Sequence, residues 1–257
     1  SSPMKHLKDL QVRAVELLRP GYAVLRLTDE EVFPEMQPGQ FVEIRVDGSP
    51  ETFLRRPISI NFVDRDTNEL WLLVHAVGKG TEILTKMRSG DKLNCLYPLG
   101  RGFSMPSEPQ QRLLLIGGGV GTAPLLYFGK LLRDAGHEPV FLLGGKTEGD
   151  ILQREHFEKY GRLCCTTEDG SFDTKGFVTN HSVLQEDFHS IYTCGPKPMM
   201  KAVAAFAKEH NIYCEASLEN MMACGLGACL CCVEKTVQGN RCVCTEGPVF
   251  DINDLDW

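Results

Sequence analysis

The residues best suited to chemistry are six cysteines gathered near the C-terminus: Cys224, Cys229, Cys231, Cys232, Cys242 and Cys244. Four of them, Cys224, Cys229, Cys232 and Cys244, are spaced C-x4-C-x2-C…C, the plant-type arrangement of thiolates around a 2Fe-2S cluster. A short loop must wrap such a cluster so that three sulfurs converge from one segment. Gly225 and Gly227 permit the backbone angles and close approach that this wrapping demands. A structural zinc site is the alternative, but zinc favours two C-x2-C-like knuckles, and the second here would be Cys242-x-Cys244, one residue short. A run of reduced, unligated thiols is the third reading. Cys231 and Cys242 fall outside the four-ligand set, as packing residues or substitute ligands.

A second constellation is Gly117-Gly-Gly119-Val-Gly121-Thr122-Ala123-Pro124. It follows the apolar run Leu113–Ile116 and precedes a helical pattern, so it can present backbone amides to a pyrophosphate. Thr122 stands where the strict G-x-G-x-x-G pattern has its last glycine, and a tight strand-to-helix turn without a ligand is the competing reading. Cys194-Gly195-Pro196 also closes a strand and opens a helix, which puts both turns on the carboxyl edge of one sheet, where open α/β folds bind ligands. The second strand ends Gly144-Gly145-Lys146-Thr147-Glu148, without the arginine that commonly recognises a 2′-phosphate, so NAD is expected rather than NADP.

The third constellation is Arg55-Arg56-Pro57-Ile58-Ser59-Ile60. A guanidinium can fork onto a diphosphate and a serine can bond a flavin ring or phosphate; a solvated edge strand would have the same composition. Leu73-Val74-His75-Ala76-Val77-Gly78-Lys79-Gly80-Thr81 adds a strand running into a glycine turn and a threonine at a helix start, a geometry that suits phosphate.

These residues need elements to hold them. Short alternating runs at 23–27, 40–44, 58–60, 70–74 and 91–93 predict a small antiparallel barrel. Pro106-Ser107-Glu108-Pro109 reads as a linker. Beyond it, strands at 113–116, 140–143 and 191–193 alternate with helices at 124–135 and 197–209, the latter with Met200, Val203, Ala204 and Ala207 on one face. The expected architecture is a multi-domain β plus α/β protein: an FAD-binding β-barrel over 4–105, an α/β nucleotide-binding domain with a parallel sheet over 106–213, and a small 2Fe-2S domain over 214–257.

Composition agrees with an ordinary globular protein, at 42% hydrophobic and 24% charged residues. A net charge of -7 without a basic run argues against nucleic acid and anionic membranes as partners. No apolar run reaches the roughly 18 residues of a membrane span. The segment Ser1–Lys5 has no signal-type apolar stretch, so a cytoplasmic location is expected, and eleven cysteines then point to metal or redox chemistry rather than disulfides.

In this order, Arg56-Pro57-Ile58-Ser59, Gly80-Thr81, the Gly117–Pro124 turn, Cys194-Gly195-Pro196 and the cysteine cluster resemble the ferredoxin-NADP reductase superfamily. Within it the likeness is nearest to the electron-transfer subunits of B-type dihydroorotate dehydrogenases, whose cluster domain resembles Ser217–Ala223 and Cys244–Phe250. The resemblance implies FAD at Arg56, Pro57, Ile58, Ser59, Leu73, Val74, His75, Gly80 and Thr81. It implies NAD(H) at Gly117, Gly119, Gly121, Thr122, Cys194, Gly195 and Pro196, and a 2Fe-2S cluster on Cys224, Cys229, Cys232 and Cys244. It further implies an FMN-containing catalytic partner, in a heterotetramer of two plus two, serving pyrimidine (UMP) biosynthesis. Met221, Met222 and Leu226 are expected to form the partner-facing surface. Bifurcating reductases and hydrogenase-type complexes share this architecture, and a zinc-stabilised interaction module on a flavoreductase scaffold is a reading from another class.

Overall fold

The computed structural model describes residues 4–46, 55–222 and 233–257. Its first unit contains strands β1 (His6–Arg19), β2 (Tyr22–Thr28), β3 (Phe41–Arg45), β4 (Arg55–Asp64) and β5 (Glu69–His75), then a short helix α1 (Lys79–Thr85) and strand β6 (Lys92–Leu99). The six strands close into an antiparallel barrel in the order β1-β2-β5-β4-β3-β6. Closure removes the unpaired edges that an open sheet would expose. The interior is filled from alternate positions, among them Leu10, Val12, Leu25, Leu27, Ile44 and Leu72, all fully buried.

The second unit runs β7 (Arg112–Gly118), α2 (Ala123–Asp134), β8 (Glu138–Gly145), α3 (Arg154–Glu158), β9 (Arg162–Thr167), β10 (Thr174–Lys175), β11 (Ser190–Cys194), α4 (Lys197–Glu209) and β12 (Tyr213–Ser217). Its sheet is ordered β10-β9-β8-β7-β11-β12, parallel throughout, with an antiparallel edge strand, β15 (Val249–Asp251), supplied from the C-terminal arm. The chain builds outward from β7 through β8 to β10, then returns to the other side of β7 with β11. That reversal makes the β7/β11 pair the topological switch point, where ligands of open α/β sheets bind. Helix α4 occupies the expected 197–209 span and buries Met200, Val203, Ala204 and Ala207, the four residues that its periodicity nominated.

The C-terminal arm comprises a hairpin of β13 (Val233–Thr236) and β14 (Gly239–Cys242), a turn of helix α5 (Val243–Glu246) and the edge strand β15 (Val249–Asp251). Helix α2 lies between barrel and sheet. Phe128 stacks on Phe103 at 5.0 Å and meets Tyr192 edge-on at 4.7 Å, and Asn61 of β4 donates to the Ala123 carbonyl at 2.8 Å while exchanging hydrogen bonds with Gln153. One continuous apolar core therefore spans both units. Among the described residues no helix is long and apolar enough to cross a membrane.

Candidate functional site

Strand β4 pairs with β3 so that Arg56 faces Ile44, Pro57 faces Glu43, Ile58 faces Val42 and Ser59 faces Phe41. Arg55 and Arg56 part company here. Arg55 is used within the barrel, donating to the Asn94 side chain and to the Glu43 carbonyl. Arg56 Nε and Ser59 Oγ are buried without a partner among the described residues. A buried donor left unmade costs about 1–3 kcal/mol, so these two atoms fit a polar group brought in from outside, as a flavin diphosphate would be. Leu73 and Val74 are buried in β5 and have only backbone to offer. His75 stacks on Tyr22 at 4.0 Å with the rings within 8° of parallel; burial, then the Arg19 charge, lower its pKa, so the ring is neutral at pH 7. Gly80 and Thr81 lie in the first turn of α1, where the Thr81 hydroxyl accepts from the amides of Val77 and Gly78 and donates to the Gly78 carbonyl. That hydroxyl shapes the turn and leaves any ligand contact there to the backbone.

The two strand-ending turns meet at the switch point. The Gly117 carbonyl end of β7 sits opposite Cys194 in register, and a Cβ added to Gly121 would lie 2.6 Å from the Cys194 oxygen and from Gly195 Cα. Gly117 is likewise a packing glycine, its Cβ position 2.8 Å from Leu125 Cδ1. Gly119 has φ +59 with open space around it, and Thr122 Oγ1 donates to the Gly119 carbonyl at 3.1 Å. In front of these turns lies a cavity of about 700 Å³, walled by Gly118, Gly119, Gly145, Lys146, Phe177 and Met199. That volume falls within the range of small-molecule sites. Asp150 and Glu168 place carboxylates on the same wall, as Thr166 does a hydroxyl that is buried without a partner.

On the C-terminal arm, Cys244 lies in α5, half-buried, with its sulfur 3.5 Å from that of Cys242. The turn is braced by Glu246, which accepts from Arg241 Nε and from the Cys242 amide. Cys224, Cys229, Cys232 and Leu226 lie outside the described residues. Met221 and Met222 are half-buried against the sheet core, not exposed as expected. Among the described residues of this arm, the exposed large apolar ones are Val233 and Val237, at 51% and 63%.

Comparison with known proteins agrees with this division. A family model for the iron-sulfur cluster binding domain of dihydroorotate dehydrogenase B matches residues 219–256, and one for an oxidoreductase NAD-binding domain matches residues 115–205. The dihydroorotate dehydrogenase B (NAD(+)) electron transfer subunit of Shouchella clausii is 38% identical over 95% of both chains. That of Lysinibacillus sphaericus is 42% identical over 86% of this chain and 87% of its own. The chain belongs to this family.

Among solved structures, an NADH-dependent reduced ferredoxin-NADP oxidoreductase studied for flavin-based electron bifurcation superposes with a TM-score of 0.81 at 29% identity, covering 96% of this chain and 90% of the other. A ferredoxin NADP+ reductase from Neisseria gonorrhoeae shares the fold, at a TM-score of 0.67 over 80% of this chain and 92% of the other, with 16% identity. The family member described here is thus an NAD-linked oxidoreductase subunit that transfers electrons through FAD and a 2Fe-2S centre.

Several residues of the site gave no signal in the sequence. Glu219, just beyond β12, has its Oε2 buried without a partner among the described residues. Burial pushes its carboxyl up to about 8 against the lowering effect of a hydrogen bond from the Cys194 thiol. Burial likewise holds Cys194 well above the usual thiol range, with the Glu219 charge adding to it. The Thr193 hydroxyl is also buried, without a partner among the described residues. Phe177, 64% exposed at the cavity rim, reads in sequence as an ordinary loop aromatic. Arg19 of the barrel pairs with Asp150 of the sheet unit at the cavity, a contact between residues too far apart in the chain for local pattern to reveal.

Proposed function

We propose that this subunit carries electrons for NAD-linked oxidation of dihydroorotate, working with an FMN-containing catalytic subunit in a complex of two plus two that serves pyrimidine biosynthesis. Arg56, Pro57, Ile58, Ser59, Leu73, Val74, His75, Gly80 and Thr81 hold FAD. Gly117, Gly119, Gly121, Thr122, Cys194, Gly195 and Pro196 form the NAD(H) site, and Cys224, Cys229, Cys232 and Cys244 ligate the cluster. The domain limits are those expected from sequence: 4–105, 106–213 and 214–257. The observation that carries this reading is the junction of the two glycine turns, packed backbone to backbone, with Gly118, Gly119 and Pro196 on the wall of the cavity.

Flavin supplies the conversion between hydride transfer and single-electron transfer. The chain's own residues bind and orient. Arg56 and Ser59 offer donors to the flavin's polar groups, and the cavity receives the nucleotide on the carboxyl edge of β7, β8 and β11. Asp150, paired with Arg19, and Glu168 offer carboxylates there that can accept from ribose hydroxyls, in keeping with NAD. The partner meets the cluster arm near Val233 and Val237.

The test is an anaerobic absorption spectrum with iron and zinc analysis before and after NADH, followed by addition of dihydroorotate with and without the catalytic subunit. Flavin bands, two irons per chain, bleaching by NADH and dihydroorotate turnover only in the complex are expected. Zinc in place of iron, or dihydroorotate oxidation by the isolated chain, overturns the reading. The likeness to the bifurcating reductase favours a second reading, reduction of ferredoxin with a different partner. Its identity of 29% is below the 38% and 42% of the dihydroorotate dehydrogenase subunits, and ferredoxin-dependent NADP reduction distinguishes it.

A further inference from the structure

Besides the pairing of β15 with β12, the cysteine arm meets the nucleotide unit through one buried carboxylate. Glu234, the second residue of β13, has a side chain 6% exposed. Both of its carboxylate oxygens accept from Lys197 Nζ at 3.1 Å, and Oε1 also accepts from Trp257 Nε1 at 3.1 Å. Lys197 is the first residue of α4 and follows Pro196 directly, so its backbone is fixed by the Cys194-Gly195-Pro196 turn. Trp257 ends the C-terminal tail, which is itself laced to the hairpin: the Val237 amide donates to the Asp254 carbonyl at 2.9 Å and the Asp256 amide to the Lys235 carbonyl at 3.2 Å. The tail is anchored in the sheet core through Ile252 and Leu255 and held to the far end of α4 by Lys208 Nζ, which donates to the Trp257 carbonyl.

Stability alone is a poor explanation for this arrangement. The Lys197 side chain is 39% exposed, so solvent screens the attraction while the buried carboxylate still bears its desolvation cost, and the net contribution to stability is small. What a pair with three directed hydrogen bonds supplies is registry: one carboxylate fits one position between an ammonium and an indole N–H. Glu234 stands two residues after Cys232, and its ammonium partner stands one residue after the nucleotide turn.

We propose that the Lys197–Glu234–Trp257 contact is a positioning device for electron transfer, fixing the cluster arm in register with the turn that receives the nicotinamide nucleotide. Glu234 and Lys197 are positioning residues; neither exchanges electrons. The step they govern is the passage of one electron from the reduced flavin, which loses it, to one ferric ion of the cluster, which becomes ferrous. Hydride transfer from NADH to the flavin precedes that step and does not cross the contact. The inference rests on the cluster assignment above, and iron content and cluster absorbance of the unaltered chain test that assignment by themselves.

The experiment uses the full chain loaded with FAD and cluster, with Glu234→Gln, Lys197→Met and Lys197→Arg, mixed with NADH anaerobically in a stopped-flow spectrophotometer. The expected result is an unchanged flavin-bleaching phase and a cluster-reduction phase slowed roughly tenfold or more in E234Q and K197M, since ångström-scale misplacement of reacting groups can cost up to about 100-fold. K197R, which keeps the charge and a donor, restores most of the rate. Iron content and the paramagnetic resonance spectrum of the reduced cluster remain those of the unaltered chain, while dipolar coupling between flavin radical and cluster broadens. Equal cluster-reduction rates in all variants overturn the proposal. So does slowing of both phases in parallel with loss of iron, which would assign the contact to fold stability alone.

Discussion

The meeting of the two turns makes a quantitative prediction at Gly121. A methyl group there would sit 2.6 Å from the Cys194 oxygen, 2.6 Å from Gly195 Cα and 2.7 Å from the Cys194 carbonyl carbon. All three atoms are backbone, so no side chain can swing aside. Ordinary van der Waals contact begins at 3.4 Å, and accommodating Gly121→Ala requires the turns to part by about 0.8 Å, an overpacking of the kind that costs about 1–3 kcal/mol. Expressed as nucleotide affinity, that range is roughly 5- to 150-fold weaker binding. Two controls separate crowding from other causes. Gly119→Ala meets nothing within 4 Å but must adopt φ +59, a strain of about 1–2 kcal/mol. Gly78→Ala meets nothing and has an extended backbone at φ -157, so it should be neutral. The assay is anaerobic titration of flavin reduction with NADH, alongside FAD content per chain. The expected order of NADH affinity is unaltered chain and G78A together, then G119A and G121A below them, all with full FAD. A G121A variant that binds NADH as the unaltered chain does, or that loses FAD with it, would refute the idea that Gly121 lets two nucleotide-binding turns touch.

Other consequences follow from single residues. Ser59→Ala and Arg56→Lys should each weaken FAD retention by about 1–3 kcal/mol, measured as the FAD dissociation constant of the apoprotein; equal retention would remove both from the flavin site. Cys244→Ser should abolish the iron signal while leaving flavin and its bleaching by NADH intact, and a variant with full iron would move the fourth ligand elsewhere. Glu219 gives a pH dependence. Its folded-state carboxyl, at about 8, lies above the unfolded value of 4.5, so the native chain binds the extra proton. Its own contribution to stability is therefore full below pH 4.5 and declines as pH rises towards 8, by at most about 1.4 kcal/mol per pH unit. Denaturation midpoints across that window should fall in the unaltered chain and flatten in Glu219→Gln; parallel curves would place the titrating group elsewhere.

How much of this was legible in the sequence depends on the range over which each signal acts. Helix α4 appeared at its correct limits because Met200, Val203, Ala204 and Ala207 carry its period, and core burial follows that period. Strand β1 went unread although it is the longest in the barrel. Its inward residues Leu10 and Val12 are buried, but Leu7 and Leu17 are apolar and 62% and 66% exposed, which blurs the alternation that marks a half-buried strand. The hairpin β13–β14 was obscured in the same region by the cysteine run, which carries a ligand pattern and no strand period. The cysteine spacing and the glycine-rich strings could be read because each pattern is local in sequence. Glu219 with Cys194, Arg19 with Asp150, and Lys197 with Glu234 and Trp257 were not, since each contact joins residues that only the fold brings together.

The glycine-rich turn shows how one motif can conceal two functions. Read as a string, Gly117–Thr122 suggests a row of amides offered to a phosphate, each glycine present for the ligand's sake. In the fold, Gly117 makes room for Leu125 and Gly121 for the neighbouring turn, while Gly118 and Gly119 face the cavity. Thr122 can replace the motif's last glycine because its hydroxyl closes the turn onto the Gly119 carbonyl and its position requires no positive φ. The departure from the strict pattern therefore leaves the ligand face untouched. The same close approach of the turns brings Cys194 and Pro196 to the switch point and starts α4 at Lys197, within reach of Glu234. The spacing proposed to admit the nucleotide is thus also the spacing that would let the cysteine arm be registered against it. A change that parts the turns at Gly121 should disturb cluster reduction through Lys197 as well as nucleotide binding, whereas E234Q should disturb cluster reduction alone.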